Sequence, residues 1–488
     1  MDTHALVAAL AIIGIVIVVS ALLSGLVDKS GLPHVAVFLC IGAALGPAGL
    51  GLFNATLDSA VLRVVATLSL TLVLFTDAVT LNISEVKRNA ALAFRMLGPG
   101  TILCAALMTV AAWWLLQIPS AHAAILGAAL ASTDPVLLRG LMTRHDIPSE
   151  ARQALKLESG LNDVVLLPIV AVAIALSGAE HVESNGFGKL AFGFFILGPG
   201  AGVAIGLLGV SALDLIRKRI GVRRDYESLY SLGVAFTAYA AAEAVHGSGF
   251  LAAFAAGLTI AALDVELCDC FIEYGGVTAE MLLLFTFVIL GSSLIWTGFS
   301  ELNGATIAFA AFSVLIRVPI YLLSLLRSNV NRRGRLVIAW FGPSGLSSLL
   351  LVLLAVFAGV PGNERIFAIC SLIVLLSIVI HGTSPMLLAR FSKKNEVAEP
   401  ETPSRALPVV ESSQQGQSVG SQIVTLEDVD RLKKAGEQVI LLDVRTERSR
   451  ATSDSQADGS VRMPPENVVV QAREKNLPKD TWLVAYCA

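Results

Sequence analysis

Charged residues are scarce in this 488-residue chain, at 15% of all positions, whereas hydrophobic residues make up 55%. Soluble domains carry roughly a quarter charged residues, so the composition excludes an ordinary soluble enzyme. An excess of positive charge is also lacking, because 35 basic and 38 acidic residues give a net charge of −3. The sequence therefore gives no electrostatic support for a nucleic-acid partner.

Cysteine is scarce as well, with 6 residues that lie mostly far apart. Cys268 and Cys270 are close in sequence, but they lack the spacing of zinc ligands and have no histidine nearby. The cysteines thus form neither a disulfide framework nor a zinc motif. No organic cofactor is implied.

Long apolar runs are abundant in the first 390 residues. A helix that crosses a bilayer needs about 20 mostly apolar residues. Thirteen stretches approach or meet this length: 5–27, 33–52, 59–80, 91–116, 121–143, 150–178, 187–214, 227–245, 249–263, 277–297, 304–326, 336–359 and 366–389. We therefore predict an all-α polytopic membrane protein with about 13 transmembrane helices.

Basic residues alternate between the loops that join these stretches. They cluster after the third, fifth, seventh and eleventh stretch, as in Arg88 and Arg95, Arg144 and Arg152, Arg217 to Arg219, and Arg327 to Arg335. Because loops rich in Lys and Arg stay in the cytoplasm, we expect a cell-membrane protein with its N-terminus outside and its C-terminal tail inside.

Two of the stretches are interrupted at corresponding places. Pro135 follows Thr133 and Asp134 in the fifth stretch, and Gly342 and Pro343 interrupt the twelfth. Proline removes a backbone donor and breaks a helix. Paired broken helices are a sequence sign of inverted-repeat transporters, so we predict two six-helix inverted repeats, joined by the seventh span.

Charged residues inside apolar spans are costly and are functional candidates by default. Asp134, Glu158, Asp163 and Arg317 are such residues, and Asp77 and Glu243 are others to which the sequence assigns no role. The same holds for His246 near the end of a span. Arg317 is the only deeply placed basic residue of the second half, and we predict that it pairs with Glu158.

Asp134 and Asp163 are predicted to face each other, with Ser159 on the face of Asp163, about 40° away around the helix. Two carboxylates in a shared low-dielectric cavity raise each other's proton affinity. With Thr133 they form an oxygen-only set that suits Na⁺ or K⁺. Mutual exclusion of a proton and a cation at one site is the chemistry of an antiporter.

Three motifs together resemble the NhaP/NHE-type monovalent cation:proton antiporters: Thr133-Asp134-Pro135, Glu158-Ser159-x-x-Asn162-Asp163, and the run from His246 to Gly257. The resemblance covers about residues 5–390. It implies that Asp134, Asp163, Ser159 and Thr133 coordinate the ion. It also implies that Glu158 pairs with Arg317 beside the site.

The same resemblance has consequences for stoichiometry and assembly. Family members with Asn-Asp, as at Asn162 and Asp163, tend to be electroneutral, and an asparagine here cannot ionise. The fold implied is a dimerisation domain and a moving core domain, assembled as a homodimer in the lipid bilayer.

The last 98 residues differ in composition and hold 28 of the charged residues. Residues 391–420 are predicted to be a flexible linker between the membrane domain (1–390) and a small α/β domain (421–488). The strand that ends in Asp443-Val-Arg445, and another leading to Cys487, resemble a rhodanese domain. We expect that domain to be incomplete and inactive, because the chain ends one residue after the candidate thiol.

We therefore predict a secondary active antiporter that exchanges Na⁺ or K⁺ for H⁺ by alternating access, a transporter without catalysed bond chemistry. One alternative is a channel or a small organic-anion carrier on the same scaffold. Another is a membrane-tethered sulfurtransferase that uses Cys487.

Overall fold

The computed structural model describes most of the apolar part of the chain: residues 34–52, 54–81, 83–142, 147–177, 192–219, 224–263, 269–328 and 330–395. It also describes residues 438–444, 459–463 and 482–486 near the C-terminus, and a few isolated positions. The chain divides into two compact units, Met1–Glu399 and Pro400–Ala488. The first predicted span, 5–27, lies outside the described residues except for isolated positions.

The first half of the membrane unit is helical. Its helices are α1 His34–Leu45, α2 Ala60–Val79, α3 Ile83–Arg88, α4 Ala90–Arg95, α5 Leu103–Leu116, α6 Ser120–Ala131, α7 Pro135–Met142 and α8 Ser149–Ser177. A π-helical segment, Met96–Ile102, joins α4 to α5 and contains Pro99. Because proline lacks an N–H, it favours such a local widening over a regular turn.

The second half is also helical. Its helices are α9 Gly198–Arg219, α10 Arg224–Ala244, α11 Gly249–Ala262, α12 Asp269–Ser292, α13 Gly304–Ser324, α14 Arg332–Trp340, α15 Leu346–Phe357 and α16 Asn363–Asn395. A π-helical segment, Gly193–Leu197, precedes α9, and a 3₁₀ helix, Leu294–Glu301, follows α12 at a bend of 50°.

Several helices of the second half begin at side chains that cap them. Ser248 accepts a hydrogen bond from the N–H of Leu251 at the start of α11. Asn303 and Asn331 do the same for α13 and α14, with the N–H groups of residues three positions later. Such caps satisfy backbone donors that the first helical turn leaves unpaired.

A helix or an interrupted helix pair overlaps each predicted stretch after the first. By length and composition, six helices of the described chain can cross a membrane, or seven if the bent pair α12 and Leu294–Glu301 counts as one. α1, α6, α11 and α15 are apolar but shorter. The protein is thus a helical, multi-pass membrane protein, and the count of thirteen spans stays a prediction.

Both predicted helix interruptions are present. α6 ends at Ala131 and α7 begins at Pro135, so residues 132–134 are non-helical. α14 ends at Trp340 and α15 begins at Leu346, which leaves residues 341–345 non-helical. These two interruptions contact each other and form the candidate site.

The C-terminal unit contains a parallel three-stranded sheet in the order β2-β1-β3. The strands are β1 Val439–Asp443, β2 Val461–Arg462 and β3 Trp482–Tyr486. Asp443 is buried at the end of β1, and its carboxylate lies 3.8 Å from a guanidinium nitrogen of Arg462. Arg445 and Cys487 lie outside the described residues, so the rhodanese resemblance stays a prediction.

Close packing of α9 against α11 depends on small residues. Gly202 of α9 is buried, and a Cβ there would overlap the backbone of Ala252 on α11. Small residues allow helices in a membrane to approach closely and gain dispersion energy. Gly200 on the same helix is exposed and has open space around it.

We predict that Gly202→Leu lowers the thermal stability of the purified protein, because overpacking typically costs about 1–3 kcal/mol. Gly200→Leu is the matched control and is expected to melt like the wild type. Size-exclusion chromatography after graded heating measures both. Equal melting temperatures for the two variants would contradict the proposed packing.

Candidate ion-binding site

The two helix interruptions contact each other through hydrogen bonds. The backbone N–H of Asp134 donates to the carbonyl of Pro343 at 2.9 Å. The Ser344 hydroxyl donates to the carbonyl of Leu130, also at 2.9 Å. Unpaired backbone groups within the hydrocarbon region cost several kcal/mol each, so each interruption stabilises the other.

The carboxylate of Asp134 lies at the N-terminus of α15. Its Oδ2 accepts a hydrogen bond of 2.7 Å from the N–H of Leu346, the first residue of that helix. The preceding residue is Gly345, where a Cβ would overlap the carboxylate. The N–H of Leu346 is one of the donors that the first turn of a helix leaves unpaired, so Asp134 caps α15.

Asp163 lies on α8 and is 4% exposed. The hydroxyl of Ser132, in the first interruption, donates to its Oδ1. Ser347 of α15 contributes a second hydroxyl, and Asp134 lies near enough to act on Asp163 electrostatically. The structure thus brings together the two aspartates that the sequence predicts to share a site.

Thr133 and Asn162 connect the first interruption to α8. The Asn162 amide donates to the Thr133 hydroxyl at 2.6 Å and to its carbonyl at 3.3 Å. Asn162 is fully buried, and its Oδ1 has no hydrogen-bond partner among the described residues. An uncompensated buried acceptor is costly, so this oxygen is a candidate ligand for a cation.

Glu158 and Arg317 form a buried bidentate ion pair, with both nitrogen–oxygen distances at 2.7 Å. The Tyr321 hydroxyl donates to Glu158 Oε1, also at 2.7 Å, and Thr101 lies 3.1 Å from that hydroxyl. The guanidinium lies over the Tyr321 ring, 3.9 Å from its centre. The pair predicted from the sequence is therefore present and electrically neutral.

Arg317 also extends to the second interruption. It donates to the carbonyl of Ile338, near the end of α14, at 3.3 Å. A Cβ at Gly342 would overlap the guanidinium. The absence of a side chain at Gly342 therefore lets the arginine pass close to the backbone.

Ser159 differs from its predicted role in this conformation. It is buried, but its hydroxyl donates to the carbonyl of Lys156 on its own helix at 3.3 Å. Ser132 contacts Asp163 instead. Sequence reasoning missed Ser132, Ser347 and Tyr321, although Ser132 lies beside Thr133 in the interruption and Tyr321 follows Arg317 by one helical turn.

Three other polar residues from the sequence lie elsewhere. Glu243 is exposed and accepts a hydrogen bond of 3.0 Å from the N–H of Gly249, where it supports the start of α11. His246 is exposed and adopts a positive φ of 58° in the turn before that helix. Asp77 is partly buried in the last turn of α2. Glu243 thus has a structural contact here.

Hydrogen-bonded helix interruptions and buried carboxylates inside a multi-pass helical unit are typical of secondary transporters. A family profile described as "Sodium/hydrogen exchanger, transmembrane" matches residues 15–389. The chain belongs to this family: it is a transporter and not an enzyme, and it exchanges monovalent cations for protons across a membrane.

Individual relatives resemble this chain at low sequence identity. The K(+)/H(+) antiporter NhaP2 of Shewanella sp. (strain MR-4) is 25% identical over 401 residues, which cover 81% of this chain and 67% of that protein. The K(+)/H(+) antiporter NhaP of Alkalimonas amylolytica is 25% identical over 406 residues, 82% of this chain and 69% of that one. The fold is similar to the sodium proton antiporter MjNhaP1 from Methanocaldococcus jannaschii, with a TM-score of 0.64 and 21% identity, over 78% of this chain and all of that one.

We predict that Arg317→Gln destabilises the protein strongly, because it leaves Glu158 buried without its partner, at a typical cost of about 3–5 kcal/mol. The matched control is Arg365→Gln, which breaks the exposed pair of Arg365 with Glu301. Exposed pairs contribute about 1 kcal/mol or less. Thermal unfolding in detergent compares the variants, and similar melting temperatures would contradict this ranking.

Proposed function

We propose that the protein exchanges Na⁺ or K⁺ for H⁺ by alternating access, with Asp163 as the group that carries either the proton or the cation. Asp134 and Thr133 are its fixed partners, and Ser159 joins them in conformations other than the one described. Asn162, Glu158, Arg317, Pro135, Gly342 and Pro343 hold the geometry.

One observation carries the assignment of Asp163: the donors to the two aspartates are chemically different. Asp134 Oδ2 accepts from the backbone N–H of Leu346, and an amide can only donate. Asp163 Oδ1 accepts from the hydroxyl of Ser132, and a hydroxyl donates or accepts. Oδ1 of Asp163 can therefore take up a proton if its serine contact reverses direction, whereas Oδ2 of Asp134 cannot be protonated while Leu346 donates to it. We accordingly assign Asp134 as the carboxylate that stays ionised.

The charges of the buried residues support electroneutral exchange. Glu158 and Arg317 cancel, and Asn162 is neutral. With a proton on Asp163 the site carries one negative charge, from Asp134. With Asp163 ionised and one monovalent cation bound, the site again carries one negative charge. Both loaded forms thus cross with the same charge.

The oxygen atoms of the proposed site suit an alkali cation. They include both carboxylates, the hydroxyls of Ser132 and Thr133, and the unpartnered Oδ1 of Asn162. Hard oxygen ligands without sulfur or imidazole favour Na⁺ or K⁺ over transition metals. The relatives named above as K⁺/H⁺ antiporters make K⁺ a cation to test first.

We further propose a homodimer in the cell membrane, with the N-terminus outside and the C-terminal tail in the cytoplasm. The alternation of basic loops supports this orientation. The similarity to the NhaP-type antiporters supports the dimer, which the family resemblance implies.

We predict that Asp163→Asn abolishes exchange. In proteoliposomes with an internal pH-sensitive dye, addition of K⁺ or Na⁺ should produce no more pH change than in empty vesicles, because an amide carries neither the proton nor the negative charge. Glu364→Gln is the control, since Glu364 is exposed at the start of α16. Unchanged exchange by a correctly folded Asp163→Asn variant would remove the mechanism.

We also predict that the final pH gradient built by the exchanger is insensitive to membrane potential. The same vesicles can be given an inside-negative or inside-positive potential with an ionophore for a cation that is not being transported. Equal final pH gradients at both polarities are expected, because equal charge on the two loaded forms means that a complete cycle moves no net charge. A final pH gradient that shifts with polarity would contradict the charge assignment, although not the role of Asp163.

A further inference from the structure

A cavity of about 300 Å³ lies away from the ion site, where three segments distant in sequence meet. The segments are the junction of α3 and α4, the start of α8, and the loop between α13 and α14. The basic loops predict that this end of the unit faces the cytoplasm. The volume falls within the range of small-molecule pockets.

The side chains that line this cavity are strongly basic. Arg88, Arg95 and Arg327 contribute three guanidinium groups, and Glu150 contributes one carboxylate. Among the side chains that the structure describes, which do not include that of Glu85, no carboxylate forms an ion pair with any of these arginines. Arginine forks match the oxygens of phosphate groups, so the net positive charge favours a phosphate-bearing anion.

The neutral and acidic groups restrict the ligand further. Glu150 accepts hydrogen bonds only, and Asn89 and Gln153 add amides that donate and accept. The only donor that inorganic phosphate offers the Glu150 carboxylate is a P–OH on the charged group itself, which brings the two anions into contact. A phosphate attached to a hydroxyl-bearing group satisfies both the arginines and the carboxylate.

We propose that this cavity binds a glycerophosphate-type anion, a phosphate ester that carries free hydroxyl groups. The headgroup of an anionic phospholipid and a soluble phosphate ester share this chemistry. Basic pockets between transmembrane helices on the cytoplasmic side are suited to anionic headgroups. The site is independent of the proton and cation chemistry at Asp163.

The cavity is partly preorganised. Arg95 donates to the backbone carbonyl of Arg327, and Ser324 donates to the carbonyl of Arg95. These bonds fix α4 against the end of α13 without a ligand. Arg88 and Arg327 are exposed, so their side chains are free to close on an anion.

The helices that line the cavity also carry the buried ion pair. Glu150 precedes Glu158 on α8 by eight residues, about 12 Å along a helix. Arg327 follows α13, which carries Arg317 and Tyr321. An anion bound here would bridge the ends of both helices and is expected to increase the thermal stability of the transporter.

The test uses the full-length protein and two probes, soluble glycerol 3-phosphate and phosphatidylglycerol. Native mass spectrometry measures lipid retention against phosphatidylcholine, and a thermal-shift titration measures the soluble ester. The variant is Arg88→Gln combined with Arg327→Gln. The matched control is Arg332→Gln with Arg333→Gln, which removes the same charge from exposed residues that do not line the cavity.

We expect saturable binding of at least one probe, weakened about tenfold or more by the cavity variant and unchanged in the control. Retention of the lipid alone identifies a headgroup site, and a shift with the soluble ester alone identifies a metabolite site. Equal binding by wild type and cavity variant, equal losses in both variants, or binding of neither probe would overturn the proposal. If the double variant does not fold, Arg88→Gln alone replaces it, and we expect an intermediate loss of probe binding.

Discussion

The interaction on which the site depends is the mutual hydrogen bonding of two broken helices at a place where their polar groups are buried. The N–H of Asp134 donates a hydrogen bond to the carbonyl of Pro343, and the N–H of Leu346 donates one to the carboxylate of Asp134. Ser348 adds a bond to the carbonyl of Ser132 at 3.4 Å. Neither interruption could be accommodated alone, because each supplies the acceptors or donors that the other lacks.

In this arrangement, the buried carboxylates differ in the groups that donate hydrogen bonds to them. Glu158 is neutralised by Arg317 and Tyr321, so its charge is no longer available to a cation. Asp134 accepts a hydrogen bond from the N-terminus of α15. Asp163 contacts hydroxyl groups, which accommodate either protonation state. The chemistry proposed for this transporter thus follows from the hydrogen-bond partners, and not from the number of acidic residues.

Much of the site could be predicted from the sequence, because single residues carried strong physical signals. Pro135 and Pro343 predicted the interruptions, and Arg317, as the only deep basic residue of the second half, predicted the partner of Glu158. Ser132 could not be told from Ser159, since helix periodicity assigns faces only to helical residues and Ser132 is not helical. The capping of α15 by Asp134 was equally hidden, because it joins positions more than 200 residues apart.

The contacts of α8 restrict how a transport cycle can move the protein. Glu158 of α8 forms an ion pair with α13, and Asn162 donates a hydrogen bond to the first interruption. Asp163 accepts hydrogen bonds from Ser132 and from Ser347 of α15. Moving α8 alone would break a buried ion pair and several hydrogen bonds at once, at a cost far above that of sliding apolar surfaces. The alternating access proposed for Asp163 is therefore expected to move these helices together as one body, with the ion site carried inside it.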